Sequence, residues 1–157
     1  MLMDIIIVSG ISGAGKSRVA AVLEDMDFYC VDNMPLSMMP KFAELCLATQ
    51  GRYERVALVT DVRALENIDE LFTTFEEMRE LGCVLTILFI EAETETIIRR
   101  YKETRRRHPL DTSGSNLSDA VNNESTSSNE ISSTLKSSIC SMMSFCLIPA
   151  FSAGEFW

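Results

Sequence analysis

Near the amino terminus, Gly10-Ile11-Ser12-Gly13-Ala14-Gly15-Lys16-Ser17 places two glycines with four residues between them and follows the second with Lys and Ser. Glycines at this spacing let a backbone curl so that successive N–H groups, and the helix N-terminus behind them, converge on phosphate oxygens. On that reading Gly13, Ala14, Gly15, Lys16 and Ser17 supply amides, Lys16 adds its ammonium, and the Ser17 hydroxyl is a Mg2+ ligand. The implied ligand is ATP or GTP, between which these residues do not choose. A glycine-rich turn that only connects a strand to a helix is the plainer reading. Such a turn has no use for Lys16-Ser17 at the start of a helix.

Two carboxylates could work with this loop. Asp61 follows an apolar run, Val56 to Thr60, at the place where a P-loop protein puts the carboxylate that holds Mg2+ or its water. Asp32 follows a shorter run, Phe28 to Val31, and is the rival. Both fall at carboxyl ends of expected parallel strands, the edge where ligands bind in open α/β sheets. Either could equally be a turn or N-cap carboxylate. A third feature is cationic: Arg99, Arg100, Lys102, Arg105, Arg106 and Arg107 stand close together with Glu103 alone opposing them. They could close over phosphates as a lid, or form a solvated helix face with favourable cations near its C-terminus. His108, the single histidine, reads as part of an Arg-His-Pro stop.

The elements needed to position these groups are legible in the apolar pattern. Asp4-Ile5-Ile6-Ile7-Val8 is the β-branched run of a strand buried on both faces. After the loop, Val19, Val22, Leu23 and Met26 have the spacing of a helix with one buried stripe. Phe28–Val31, Arg55–Thr60 and Cys83–Ile90 predict further strands, and Pro40–Thr49, Leu65–Leu81 and Glu93–Arg107 predict helices. Leu71, Phe75 and Met78 make the middle one the clearest, with Gly82 as its stop. Strands alternating with helices predict an α/β fold with a parallel sheet flanked by helices.

Composition narrows the class. A chain of 157 residues suits one α/β domain. No apolar run approaches the roughly 20 residues that span a bilayer, and the opening Met1-Leu2-Met3-Asp4 lacks a secretory n-region, which predicts a cytoplasmic protein with no membrane partner. The five cysteines are odd in number and lack CxxC pairing, which predicts reduced thiols acting as small apolar residues. A net charge of -9 argues against non-specific nucleic-acid binding by the whole surface. From Ser125 to Ser144, nine of twenty residues are serine and no helical or strand period persists, so residues 125–157 read as a divergent, disordered tail behind a nucleotide-binding domain at 1–124.

Gly10 to Ser17, Val31-Asp-Asn-Met-Pro35, Thr60-Asp-Val-Arg63, Leu88-Phe-Ile-Glu-Ala92 and Arg99-Arg-Tyr-Lys-Glu-Thr-Arg-Arg-Arg-His-Pro-Leu110 together resemble the RapZ/YvcJ family of bacterial nucleotide-binding proteins, the RNase adapter proteins. The resemblance covers about residues 3 to 124. It implies an adenylate-kinase-like P-loop NTPase domain that binds and slowly hydrolyses ATP and GTP, with Lys16 and Asp61 as its catalytic residues. The family's first nucleotide segment falls on Gly10, Ile11, Ser12, Gly13, Ala14, Gly15, Lys16 and Ser17. The second, linked to GTP, falls on Asp61, Val62, Arg63 and Ala64. Family members continue into a carboxy-terminal domain associated with RNA, amino-sugar phosphates and an RNase. From Ser125 this sequence departs as a frameshifted or truncated reading frame would, and the fifth strand of the nucleotide domain is expected to be missing. That leaves four strands, the first central and Cys83–Ile90 an open edge, which invites self-association or loose cover by Ile139–Phe151. The competing readings are a small-molecule kinase with Asp32 as base, and a non-functional fragment.

Overall fold

The computed structural model describes residues 3–49, 53–61, 68–104, 117–139 and 144–149. Its centre is strand β1 (Met3–Gly10), whose Ile5, Ile7 and Val8 are fully buried. Each such side chain contributes about 1.5–3 kcal/mol on leaving water. β-Branched residues suit this position because they pack well on a pleated surface covered on both sides.

β1 pairs in parallel with β3 (Arg55–Val59) on one side and β4 (Cys83–Glu91) on the other, so that Ile7 faces both Leu58 and Ile87. β2 (Tyr29–Val31) extends the sheet beyond β3, and β5 (Ser144–Pro149) extends it beyond β4. The order is β2-β3-β1-β4-β5. Parallel neighbours need long crossovers, and helices supply them: α1 (Lys16–Asp25), α2 (Met39–Ala48), α3 (Ile68–Glu80), α4 (Thr94–Thr104) and α5 (Leu117–Ile139). The α/β fold and the central first strand are as the apolar pattern predicts. α3 buries Leu71, Phe75 and Met78. α1 turns a slightly different stripe inward: Leu23 is buried, while Val22 and Met26 are half exposed. Among the described residues no helix is long and apolar enough to cross a membrane.

One expectation is corrected. The sheet has five strands, not four: β5 lies on β4 with Ile87 opposite Phe145 and Phe89 opposite Leu147. The cover expected of the segment Ile139–Phe151 is thus a regular parallel ladder. α5 runs without a break through Glu124 and Ser125, across the expected boundary between domain and tail. Its inner face is Ala120, Val121, Glu124, Ser128, Ile131, Ser132 and Leu135, at helical spacing. Three of those seven are polar, which hides the stripe from any reading based on hydropathy.

Ser128 and Ser132 are costly members of that face. Their hydroxyls are buried and have no partner among the described residues. A buried unsatisfied polar group costs about 1–3 kcal/mol, and alanine is also the better helix former. Ser128→Ala and Ser132→Ala should therefore each stabilise the fold by about 1 kcal/mol in urea unfolding. A loss of stability in both would show that the hydroxyls are hydrogen-bonded in solution.

Candidate functional site

The loop Gly10–Ser17 sits at the carboxyl end of the central strand and runs into the first turn of α1. Gly10, with φ of 141°, lies against β4: a Cβ there would stand 2.1 Å from the carbonyl oxygen of Ile90. Only a residue without a side chain lets β1 and β4 remain paired to their ends. Gly15 is the N-cap of α1 in the left-handed region, with φ of 113°. It turns the chain so that the helix starts at Lys16 with its N-terminal amides directed into the loop. Inside the loop, the Ala14 N–H donates to the Ile11 carbonyl at 3.1 Å.

Lys16 reaches back across the loop. Its ammonium donates to the carbonyls of Gly10 at 2.5 Å and Ile11 at 3.2 Å. Ser17 is exposed one residue further on. Nearby, the Thr60 N–H donates to the Val8 carbonyl at 2.9 Å, which ties the end of β3 to β1 just before the loop and brings half-buried Asp61 out at the same sheet edge. Val62, Arg63 and Ala64 lie outside the described residues. Loop, Lys16, Ser17 and Asp61 thus share one end of the sheet, as their places in the sequence predict.

Asp32 lies two strands away from β1. Its Oδ1 accepts the N–H of Asn33 at 2.8 Å, and Asn33 has a φ of 56°, so the carboxylate holds its own turn. It also lines a cleft of about 200 Å³ with Ser17, Ala20, Ala21, Glu24, Cys30 and Val59. Burial pushes the Cys30 thiol above its ordinary value, and the Glu24 carboxylate adds to the effect. At neutral pH it is a protonated thiol, donating to the Ala20 carbonyl at 3.4 Å, and offers no nucleophile.

Three further side chains touch the loop. Arg100 donates through Nη1 to the carbonyls of Gly13 at 2.9 Å and Ala14 at 3.1 Å. The Tyr101 hydroxyl shares a 2.6 Å hydrogen bond with Ser12 Oγ, and Glu124 Oε1 accepts the Ser12 N–H at 3.1 Å. Of the cationic cluster, Arg100 meets the loop backbone, whereas Arg99 and Lys102 line a wide depression with Glu95, Ile98, Glu103 and Ser118. Arg105, Arg106, Arg107 and His108 lie outside the described residues. Tyr101 had a signal in the sequence, since it continues the inner stripe from Ile97 and a buried phenol needs a partner. Glu124 had none, being 112 residues from the amide it meets.

A parallel sheet with a glycine loop between its central strand and first helix defines a P-loop protein of kinase-like build. Two solved structures share that fold: shikimate kinase from Bacteroides thetaiotaomicron (TM-score 0.57, 15% identity, 99% of this chain and 91% of that one), and deoxyadenosine kinase from M. mycoides with bound dCTP (TM-score 0.53, 13% identity, 95% and 92%). Residues 3–141 match the family described as RapZ-like N-terminal domain, and the chain belongs to that family. Among curated relatives, a nucleotide-binding protein of Desulforudis audaxviator is 48% identical over 110 residues, and one of Ruminiclostridium cellulolyticum is 48% identical over 108. These cover 70% and 69% of this chain, which spans only 37% of each relative's length.

The contact at Gly10 makes a direct test possible. Gly10→Ala must push apart the ends of β1 and β4, and should destabilise the fold by about 3 kcal/mol in denaturant unfolding. A change below about 1 kcal/mol would mean that the two strand ends are not in register at Ile90.

Proposed function

We propose that this domain binds the phosphates of ATP or GTP in the loop Gly10–Ser17, with Mg2+, and hydrolyses them slowly as the nucleotide-binding module of a RapZ-like regulatory protein. The observation that carries the reading is the loop itself: a left-handed Gly15 opens α1 so that Lys16 and Ser17 stand in its first turn at the end of the central strand. Amides at a helix N-terminus, the helix dipole and an ammonium are the groups that stabilise a polyphosphate. The names of the curated relatives, nucleotide-binding proteins, agree with it.

The residues present suit Mg2+. Among the described residues no three His, Cys, Asp or Glu side chains gather into a metal cage. A magnesium ion is commonly held by one or two protein oxygens together with substrate phosphates and water, which here assigns it to the Ser17 hydroxyl and Asp61. When bound, the ion supplies charge neutralisation between phosphate oxygens. Lys16 and the loop amides then do the chain's own part, holding the terminal phosphates and stabilising charge that builds on them. Asp61 to Ala64 form the second nucleotide segment of this proposal. RNA and RNase partners, on the same reading, belong to the part of longer relatives that this chain does not span.

One observation favours a second reading. The cleft between Ser17 and Asp32 lies where a phosphoryl acceptor could meet a bound nucleotide, as a small-molecule kinase requires. Acceptor-dependent ADP production separates the two.

Lys16→Ala removes one charge-assisted contact, worth about 1.5–3 kcal/mol, and should weaken nucleotide binding roughly ten- to a hundredfold by calorimetry with little change in stability. Unchanged affinity in a folded variant would remove the loop from phosphate binding. Asp61→Asn should weaken binding of the Mg2+ complex while leaving metal-free nucleotide binding nearly intact. Equal losses with and without Mg2+ would make Asp61 a direct contact or a fold residue.

A further inference from the structure

The amide of Ser12 lies within the loop, Gly10 to Ser17, that the proposed function assigns to phosphate. It is already taken by the carboxylate of Glu124, a residue of α5 that is only 3% exposed. A buried carboxylate next to a site for a polyanion is electrostatically adverse, so its position calls for a role. The loop's own hydrogen bonding offers one. Its left-handed glycines are conformationally free in an unbraced chain, and ordering each residue costs about 1–2 kcal/mol.

Long-range contacts supply bracing on both sides of the loop's bend. Tyr101 holds the Ser12 hydroxyl, Arg100 holds the Gly13 and Ala14 carbonyls, and Glu124 holds the Ser12 amide. The Tyr101 ring also packs at Gly13, where an added Cβ would lie 3.0 Å from Cε2. These residues are held in turn by tertiary packing: α4 is anchored through buried Ile97, and α5 through Val121, Ile131 and Leu135.

We propose that Tyr101 of α4 and Glu124 of α5 are positioning residues that clasp Ser12 and pre-organise the loop for phosphate. The inference rests on the reading of Gly10–Ser17 as a nucleotide phosphate site. Neither residue touches the phosphates; each acts through Ser12. The segment that follows the cationic helix is therefore part of the site, and a shift of α5 against α4 changes phosphate affinity by loosening the loop.

The test uses the full chain and its Glu124→Ala, Glu124→Gln and Tyr101→Phe variants, titrated with Mg-ATP and Mg-GTP by calorimetry and melted without nucleotide. Glu124→Ala and Tyr101→Phe should each weaken binding about five- to tenfold, the effect of losing pre-organisation rather than a direct contact. Glu124→Gln keeps an acceptor oxygen for the Ser12 amide and should stay within about twofold of the parent. Without nucleotide, amide exchange at Ser12 should speed up about tenfold in Glu124→Ala, as expected when a tertiary hydrogen bond is lost. Parent-like affinity in Tyr101→Phe and Glu124→Ala overturns the clasp, as does an equal loss in Glu124→Ala and Glu124→Gln. If Glu124→Ala does not fold, Tyr101→Phe, which keeps the packed ring, decides alone. A folded parent chain that binds neither nucleotide overturns the proposed function instead, and the clasp with it.

Discussion

A chain turns sharply from the end of a buried strand into the first turn of a helix only where strand, turn and helix force it to. Here the forcing begins at Gly10, where β1 runs so close to the Ile90 carbonyl that no side chain fits, and ends at Gly15, whose left-handed conformation starts α1. The rest of the molecule serves this one stretch of backbone. The four strands around β1 fix where it ends, the Thr60 to Val8 hydrogen bond brings Asp61 to the same edge, and α4 and α5 place Arg100, Tyr101 and Glu124 against the loop.

Charge is organised in the same economical way. Lys16 and Arg100 each donate to loop carbonyls, which keeps both side chains at the loop. Such bonds are weaker than those to an ionised oxygen, so the phosphate of the proposed function would compete with these carbonyls. In a chain of net charge -9 these two side chains place positive charge at one end of the sheet, as the proposed phosphate binding requires.

How much of this could be read from the residues alone depended on where the information lay. β1, the loop and α3 were legible because local spacing carries them: a β-branched run, two glycines before Lys16-Ser17, and Leu71, Phe75 and Met78 at helical intervals. α5 and β5 were not. The inner face of α5 mixes Val121 and Leu135 with Glu124, Ser128 and Ser132, so its amphipathic signal is blunted, and β5 gains its meaning only from pairing with β4. The arginine cluster was visible as charge, but its division between a loop contact at Arg100 and a surface depression at Arg99 and Lys102 depends on helix phase against α5. Glu124 illustrates the limit most sharply, because a carboxylate at the edge of a serine-rich stretch has no local mark of a partner near the amino terminus.

The central claim is that the loop from Gly13 to Ser17 is where the backbone meets phosphate. Amide nitrogen–proton correlation spectra, recorded while Mg-ATP or Mg-GTP is added to the intact chain, observe its amides one by one. The account predicts that Gly13, Ala14, Gly15, Lys16 and Ser17 show the largest, saturable shifts. Saturable shifts confined to the depression around Arg99, Lys102 and Glu103, with the loop amides unmoved, would contradict it.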